Sequence, residues 1–212
     1  MEETVEKNQE ERKIAMNCEV LKRNFESHEF KTSFFETKEE AAIYLKGKIR
    51  GQKVAFGGSM TLKEMELDRV LSEENQVIWH WLEPGEDTLW GAREAQSYIT
   101  SANGVSETGE LVNIDGNGNR VSQTLFGPKK VYFVVGSNKI VKNLNKALLR
   151  ARNVAAPLNA KRLQAATPCS SGKDGCCDCN SPKRLCRATV ILERPVNGME
   201  AEIVFVNEPL GY

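Results

Sequence analysis

The chain has 212 residues, 40% of them apolar and 27% charged, enough for one substantial core in an ordinary globular protein. Twenty-nine basic residues balance twenty-nine acidic ones, so no electrostatic footprint points to nucleic acid or to an anionic membrane surface. No apolar run approaches the roughly 20 residues that span a bilayer, and the start MEETVEKNQEERK is acidic and polar, unlike a signal peptide. A cytoplasmic location with mostly reduced thiols is the expectation.

A helix is expected to about Ser27, where Ile14, Cys18, Leu21 and Phe25 form one apolar stripe on a charged segment. Residues 1–27 are read as an N-terminal helical segment and residues 28–212 as a single domain. Cys18, on the stripe, reads as a small buried hydrophobe. Thr37-Lys38-Glu39-Glu40 resembles a capping box that opens a helix ending near Gly51. Lys53–Phe56 is a short buried strand that runs into Gly57-Gly58-Ser59, and Thr61-Leu62-Lys63-Glu64 reads as a second capping box. Strand, glycine turn and helix start in succession form the βα unit of a parallel sheet.

Val77–Trp81 is another β-rich run, followed by a helical segment near Thr88–Ser97. Leu111–Ile114 and Val131–Val135 read as strands. Gly136-Ser137-Asn138 precedes a helix bearing Ile140, Val141, Leu144, Ala147, Leu148 and Ala151, with Arg150 and Arg152 at its negative end. Thr189–Leu192 and Ile203–Val206 are late strands expected to complete the same sheet. The alternation predicts a three-layer α/β domain with a mostly parallel sheet.

Five of the six cysteines fall between Cys169 and Cys186. Cys176 and Cys179 form a C-x-x-C pair, able to meet one metal from a single tight turn. Cys169 and Cys186 stand six residues outside it on either side and complete four ligands, leaving Cys177 spare. A tetrahedral zinc or a 4Fe–4S cluster fits four thiolates, and the spacing does not choose between them. Lys173, Lys183 and Arg184 would offset the charge. The alternative is a set of unmetallated thiols, or disulfides formed on oxidation.

Gly57-Gly58-Ser59 leaves backbone N–H groups free for an anion, or simply lets strand and helix pack closely. No P-loop and no dinucleotide fingerprint is present, hence no nucleotide cofactor motif. Asn103, Glu107 and Thr108 are not explained by turn chemistry alone, whereas Gly116–Arg120 reads as a β-turn between strands. His28 and His80 are isolated and read as structural or surface residues. The candidate ligand set is Gly57, Gly58, Ser59, Thr61, Asn103, Glu107, Thr108, Gly109, Asn119 and Arg120. This places the pocket away from the cysteines.

Ala55–Thr61, Thr100–Asn103, Glu107–Asp115, Gly118-Asn119-Arg120, Phe126–Val131, Ala156–Leu163 and Asn207–Tyr212 resemble the LUD-domain (lactate-utilisation) proteins. The likeness runs from about Asn17 to Tyr212, and is to the stand-alone subgroup with a C-terminal cysteine loop. It implies the NagB/RpiA/CoA transferase-like fold of ribose-phosphate isomerase, glucosamine-phosphate deaminase and the CoA transferases, in which the loop after the first strand binds phosphate or CoA. It also implies an association with L-lactate oxidation through a multi-subunit iron–sulfur system. The chain departs from that system in carrying no separate ferredoxin-like domain. The leading expectation is an accessory or ligand-binding component with a thiolate metal centre, a small anionic metabolite, redox partner subunits and an oligomeric state. The rival is a free-standing enzyme on a sugar phosphate or acyl-CoA, with Glu107 as general base or nucleophile.

Overall fold

A computed structural model describes residues 16–172 and 175–212. Ile14 and Lys173 lie outside them. The fold is built on a six-stranded parallel sheet in the order β1 (Lys31–Phe35), β10 (Glu200–Val206), β7 (Lys130–Gly136), β4 (Ser97–Thr100), β2 (Lys53–Phe56) and β3 (Gln76–Ile78). Both faces of the sheet are covered, so β7 and the second half of β10 read as near-continuous apolar runs. Along β7, Tyr132 and Val134 point to one layer, while Val131, Phe133 and Val135 point to the other. In β10, Val204 and Val206 join the first set, and Ala201, Ile203 and Phe205 the second.

The first layer holds α2 (Lys38–Lys48), α3 (Met60–Glu64) and α4 (Leu67–Ser72). The Thr37 capping box is present: Glu40 N–H donates to Thr37 Oγ1 at 3.3 Å, and Thr37 N–H donates back to Glu40 Oε2 at 3.4 Å. Such a cap is worth about 1 kcal/mol. The opposite layer joins α1 (Cys18–Ser27), with Leu21 and Phe25 fully buried, to a second sheet. That sheet has the order β8 (Ile140–Val141), β5 (Gly104–Ser106), β6 (Leu111–Asp115) and β9 (Ala188–Leu192). The three-layer α/β reading therefore holds, and one outer layer contains a small mixed sheet.

Several local expectations are corrected. Thr61 does not cap a helix; Ser59 does, and Thr61 sits inside α3 with its hydroxyl donating to the carbonyl of Leu210. Glu66 adopts a left-handed conformation, φ 47°, which separates α3 from α4. The helix expected over Thr88–Ser97 is only α5 (Glu86–Gly91) and one further turn, and Ser97 opens β4. Gly116–Arg120 is not a plain turn: Asn119 starts α6 (Asn119–Ser122). Ile140 and Val141 form β8, and the helix begins after its cap, Asn143, as α7 (Leu144–Arg150). A π turn (Ala151–Ala155) then joins α7 to α8 (Ala156–Arg162). Thr189–Leu192 belongs to the second sheet, because β9 pairs antiparallel with β6 and not with β10.

Candidate anion-binding cleft

The neighbouring strands β2, β4 and β7 end on the same edge of the parallel sheet, where open α/β sheets bind ligands. The chain that follows each strand lines one cleft of about 350 Å³ there: Gly58 and Ser59 after β2, Ser101–Asn103 after β4, and Lys139 after β7. Asp115, Asn119 and Arg120 close one side, and Asn159 and Arg162 of α8 another. The volume suits a small metabolite.

Lys139 is the most deeply placed charge, only 2% exposed. Its Nζ donates to Thr61 Oγ1 at 2.7 Å and to Ser101 Oγ at 2.8 Å. Burial first, then the neighbouring charges of Arg150 and Arg120, push the amine down to about 7; Glu64 opposes them weakly. Arg120 is held by neutral acceptors: Nη1 donates to Asn113 Oδ1 at 2.5 Å, and Nη2 to Asn103 Oδ1 at 3.0 Å and the Ile114 carbonyl at 2.7 Å. Burial lowers its affinity for a proton, and Asp115 raises it. Arg150, pushed down to about 10 by burial, donates to the carbonyls of Asn138 and Asn103. Arg162 stacks on Trp81 with its guanidinium 4.7 Å from the ring, and its Nε donates to Tyr212 Oη at 2.8 Å.

Among the described residues the carboxylate lining the cleft is Asp115, and it is fully engaged. Oδ1 accepts from the N–H groups of Asn117 and Gly118, both at 3.0 Å, and Oδ2 from those of Arg120 at 3.2 Å and Val121 at 3.1 Å. It shapes the turn into α6, and its carboxylate makes no ion pair with Arg120. The cleft therefore carries more positive than negative charge.

The sequence-derived candidates divide. Gly58, Ser59, Asn103, Asn119 and Arg120 line the cleft, and Thr61 acts from behind by holding Lys139. Gly57 does not line it; a Cβ there would lie 2.6 Å from Thr100 Oγ1 and 2.7 Å from Tyr98 Oη, so this glycine permits close packing. Ser59 caps Leu62 N–H, and α3 has only five residues, too few for a strong dipole-based anion site. Glu107, Thr108 and Gly109 lie elsewhere, at the β5–β6 turn against α1. Asn24 Nδ2 donates to the Glu107 carbonyl at 2.6 Å, and Gly109, φ 107°, leaves room for the His28 ring. Thr108 Oγ1 donates to Glu110 Oε2 at 2.6 Å. Their unusual composition reflects a turn built against a helix.

Ser101, Lys139, Asn159 and Arg162 line the cleft without having been proposed as ligands from sequence, and His80, read as structural or surface, lines it as well. Burial lowers the pKa of His80. The available signal for Lys139 was Gly136-Ser137-Asn138 directly after a buried strand, the same grammar as Gly57-Gly58-Ser59.

The pocket is also not separate from the cysteine loop, since Leu185 and Cys186 line it. Arg187 N–H donates to the Asp115 carbonyl at 2.9 Å, and β9 then pairs along β6, which carries the end of the loop to the cleft. Arg184 ties the loop to itself: Nη1 donates to the Cys179 carbonyl, Nε to the Cys186 carbonyl and Nη2 to Asp178 Oδ1, each at 2.8 Å. Cys18, Cys169, Cys176, Cys177, Cys179 and Cys186 are all free thiols. The donor chemistry of the loop suits zinc or an iron–sulfur cluster. Among the described residues, however, no three histidine, cysteine, aspartate or glutamate side chains converge as a ligand set.

A three-layer α/β domain with a cationic cleft at the carboxyl ends of its central strands is the class of protein defined by this geometry. A family model described as the LUD domain matches residues 18–206, and the chain belongs to that family. A crystal structure of a DUF162 family protein from Deinococcus radiodurans is similar with a TM-score of 0.54 and 13% identity, covering 89% of this chain and 94% of that one. This likeness supports the fold alone. No curated protein matches the sequence. Among the described residues, no helix is long and apolar enough to cross a membrane.

Proposed function

We propose that the chain binds a small organic anion of the lactate type and serves as a ligand-binding or accessory component of organic-acid utilisation. The observation that carries this reading is the imbalance of charge in the cleft. Lys139, Arg120 and Arg162 face a space whose carboxylate, Asp115, already accepts four backbone hydrogen bonds. A bound carboxylate would supply the missing negative charge, and membership of the LUD-domain family supports the pathway. The rival enzyme reading needs Glu107 at the cleft, and Glu107 does not line it.

Isothermal calorimetry with L-lactate tests the reading. Saturable binding is expected, weakened about tenfold or more in Arg162→Gln, because a hydrogen bond to a charged group is worth about 1.5–3 kcal/mol. Arg162 is exposed, so this change leaves the core intact. Heats indistinguishable from dilution, with L-lactate in the millimolar range, would contradict the reading.

The thiolate centre expected from the spacing of Cys169, Cys176, Cys179 and Cys186, zinc or a 4Fe–4S cluster, belongs to the same proposal. The half-buried thiols and Arg184 beside them support it. Redox partner subunits would follow only from a cluster. Anion binding in the cleft does not require it.

A further inference from the structure

The hydroxyls that hold Lys139 have no freedom in how they do so. Thr61 Oγ1 donates its proton to the Leu210 carbonyl at 3.1 Å, and Ser101 Oγ donates its own to the Val134 carbonyl at 2.6 Å. Each hydroxyl carries a single proton, so both can only accept from Lys139. A neutral amine uses both of its N–H bonds on them, and its lone pair is left for the remaining tetrahedral direction. Lys139 lines the cleft although only 2% exposed, and the third direction at Nζ is the one that no hydrogen bond of the described residues fixes. A charged amine would instead present its third proton there. Among the described residues no carboxylate touches Nζ to hold the proton in place; the charges acting on it are Arg150, Arg120 and Glu64. With the amine pushed down to about 7 by burial, the two forms coexist near neutral pH.

We infer that Lys139 is a nucleophile that condenses with the carbonyl group of a bound 2-oxo acid, whose carboxylate is held by the cationic wall of the cleft. The inference rests on the anion-binding reading and adds a reaction to it. In the addition, the Nζ lone pair forms a bond to the carbonyl carbon, and the C=O π pair moves to oxygen. Loss of that oxygen as water, carrying both amine protons, leaves the C=N bond of an imine. No oxidant or reductant enters. Buried, charge-poor surroundings are the usual means of making a lysine amine available for such chemistry.

The test uses the whole chain, pyruvate as probe and sodium cyanoborohydride to trap any imine as a stable secondary amine. Intact-mass measurement and peptide mapping should show one dominant adduct at Lys139, reduced several-fold by excess L-lactate, which competes for the cleft but has no carbonyl. Lys139→Arg should lose that adduct. Calorimetry with L-lactate is run in parallel. If L-lactate binds while adducts are absent, or are spread over surface lysines and unaffected by it, the imine is overturned and the anion site stands. If L-lactate does not bind and no protected adduct forms, both readings fall. Because the site is mapped on the native chain, the result does not depend on the variant folding.

Discussion

Asp115 and Lys139 are buried beside the same cleft and are satisfied in opposite ways. Four backbone N–H groups saturate the carboxylate, whereas two hydroxyls take only part of the amine's capacity. The asymmetry has a consequence for stability. The folded chain holds the Lys139 proton with an affinity near 7, and the unfolded chain with that of an ordinary lysine, 10.5. Between these values the unfolded chain binds more protons than the folded one, so stability rises with pH; below about 7 the full cost of the buried charge is present. Denaturant midpoints measured from neutral to alkaline pH should rise in the native chain and rise less in Lys139→Met. Parallel profiles would show that the amine is not held as described.

Residue types alone pointed to Glu107 and gave no sign of Lys139. A glutamate in a polar, glycine-rich block is conspicuous in sequence, but its place at the β5–β6 turn depends on how that hairpin meets α1. The role of Lys139 depends on Thr61 and Ser101, which lie 78 and 38 positions away along the chain, and no local pattern reveals such a meeting. Arg120 was visible because it shares a short motif with Asn119.

Among the elements, β2 was legible because Lys53–Phe56 is a short apolar run closed by glycines, and α2 because both halves of its capping box lie within four residues. By contrast β4, with the sequence SYIT, has three hydroxyl residues in four, and its burial comes from the strands on either side. The allocation of β9 to the second sheet was equally hidden, since pairing with β6 is a long-range choice. The cysteine loop is the element that tests its own expectation. Anaerobically purified chain should carry near-stoichiometric zinc or iron, and Cys176→Ser should lose it. Metal content near zero in the native chain would assign the cysteines to a plain thiol loop.

Across the molecule, the three-layer α/β architecture could be read from alternating strands and helices, and the strand order could not. That order matters most for function, because it sets β2, β4 and β7 side by side and brings their three following segments to one cleft. Arg162 of α8 adds a further cation to the cleft and Arg150 of α7 acts on Lys139 from behind, so the cationic character belongs to the assembled fold and not to any one motif. A crystal structure of the chain grown with saturating L-lactate tests the central claim most directly. The expected result is a carboxylate in the cleft with an oxygen at about 2.7–2.9 Å from Lys139 Nζ or the Arg162 guanidinium. An empty cleft under those conditions, or lactate ordered only elsewhere on the surface, would contradict it.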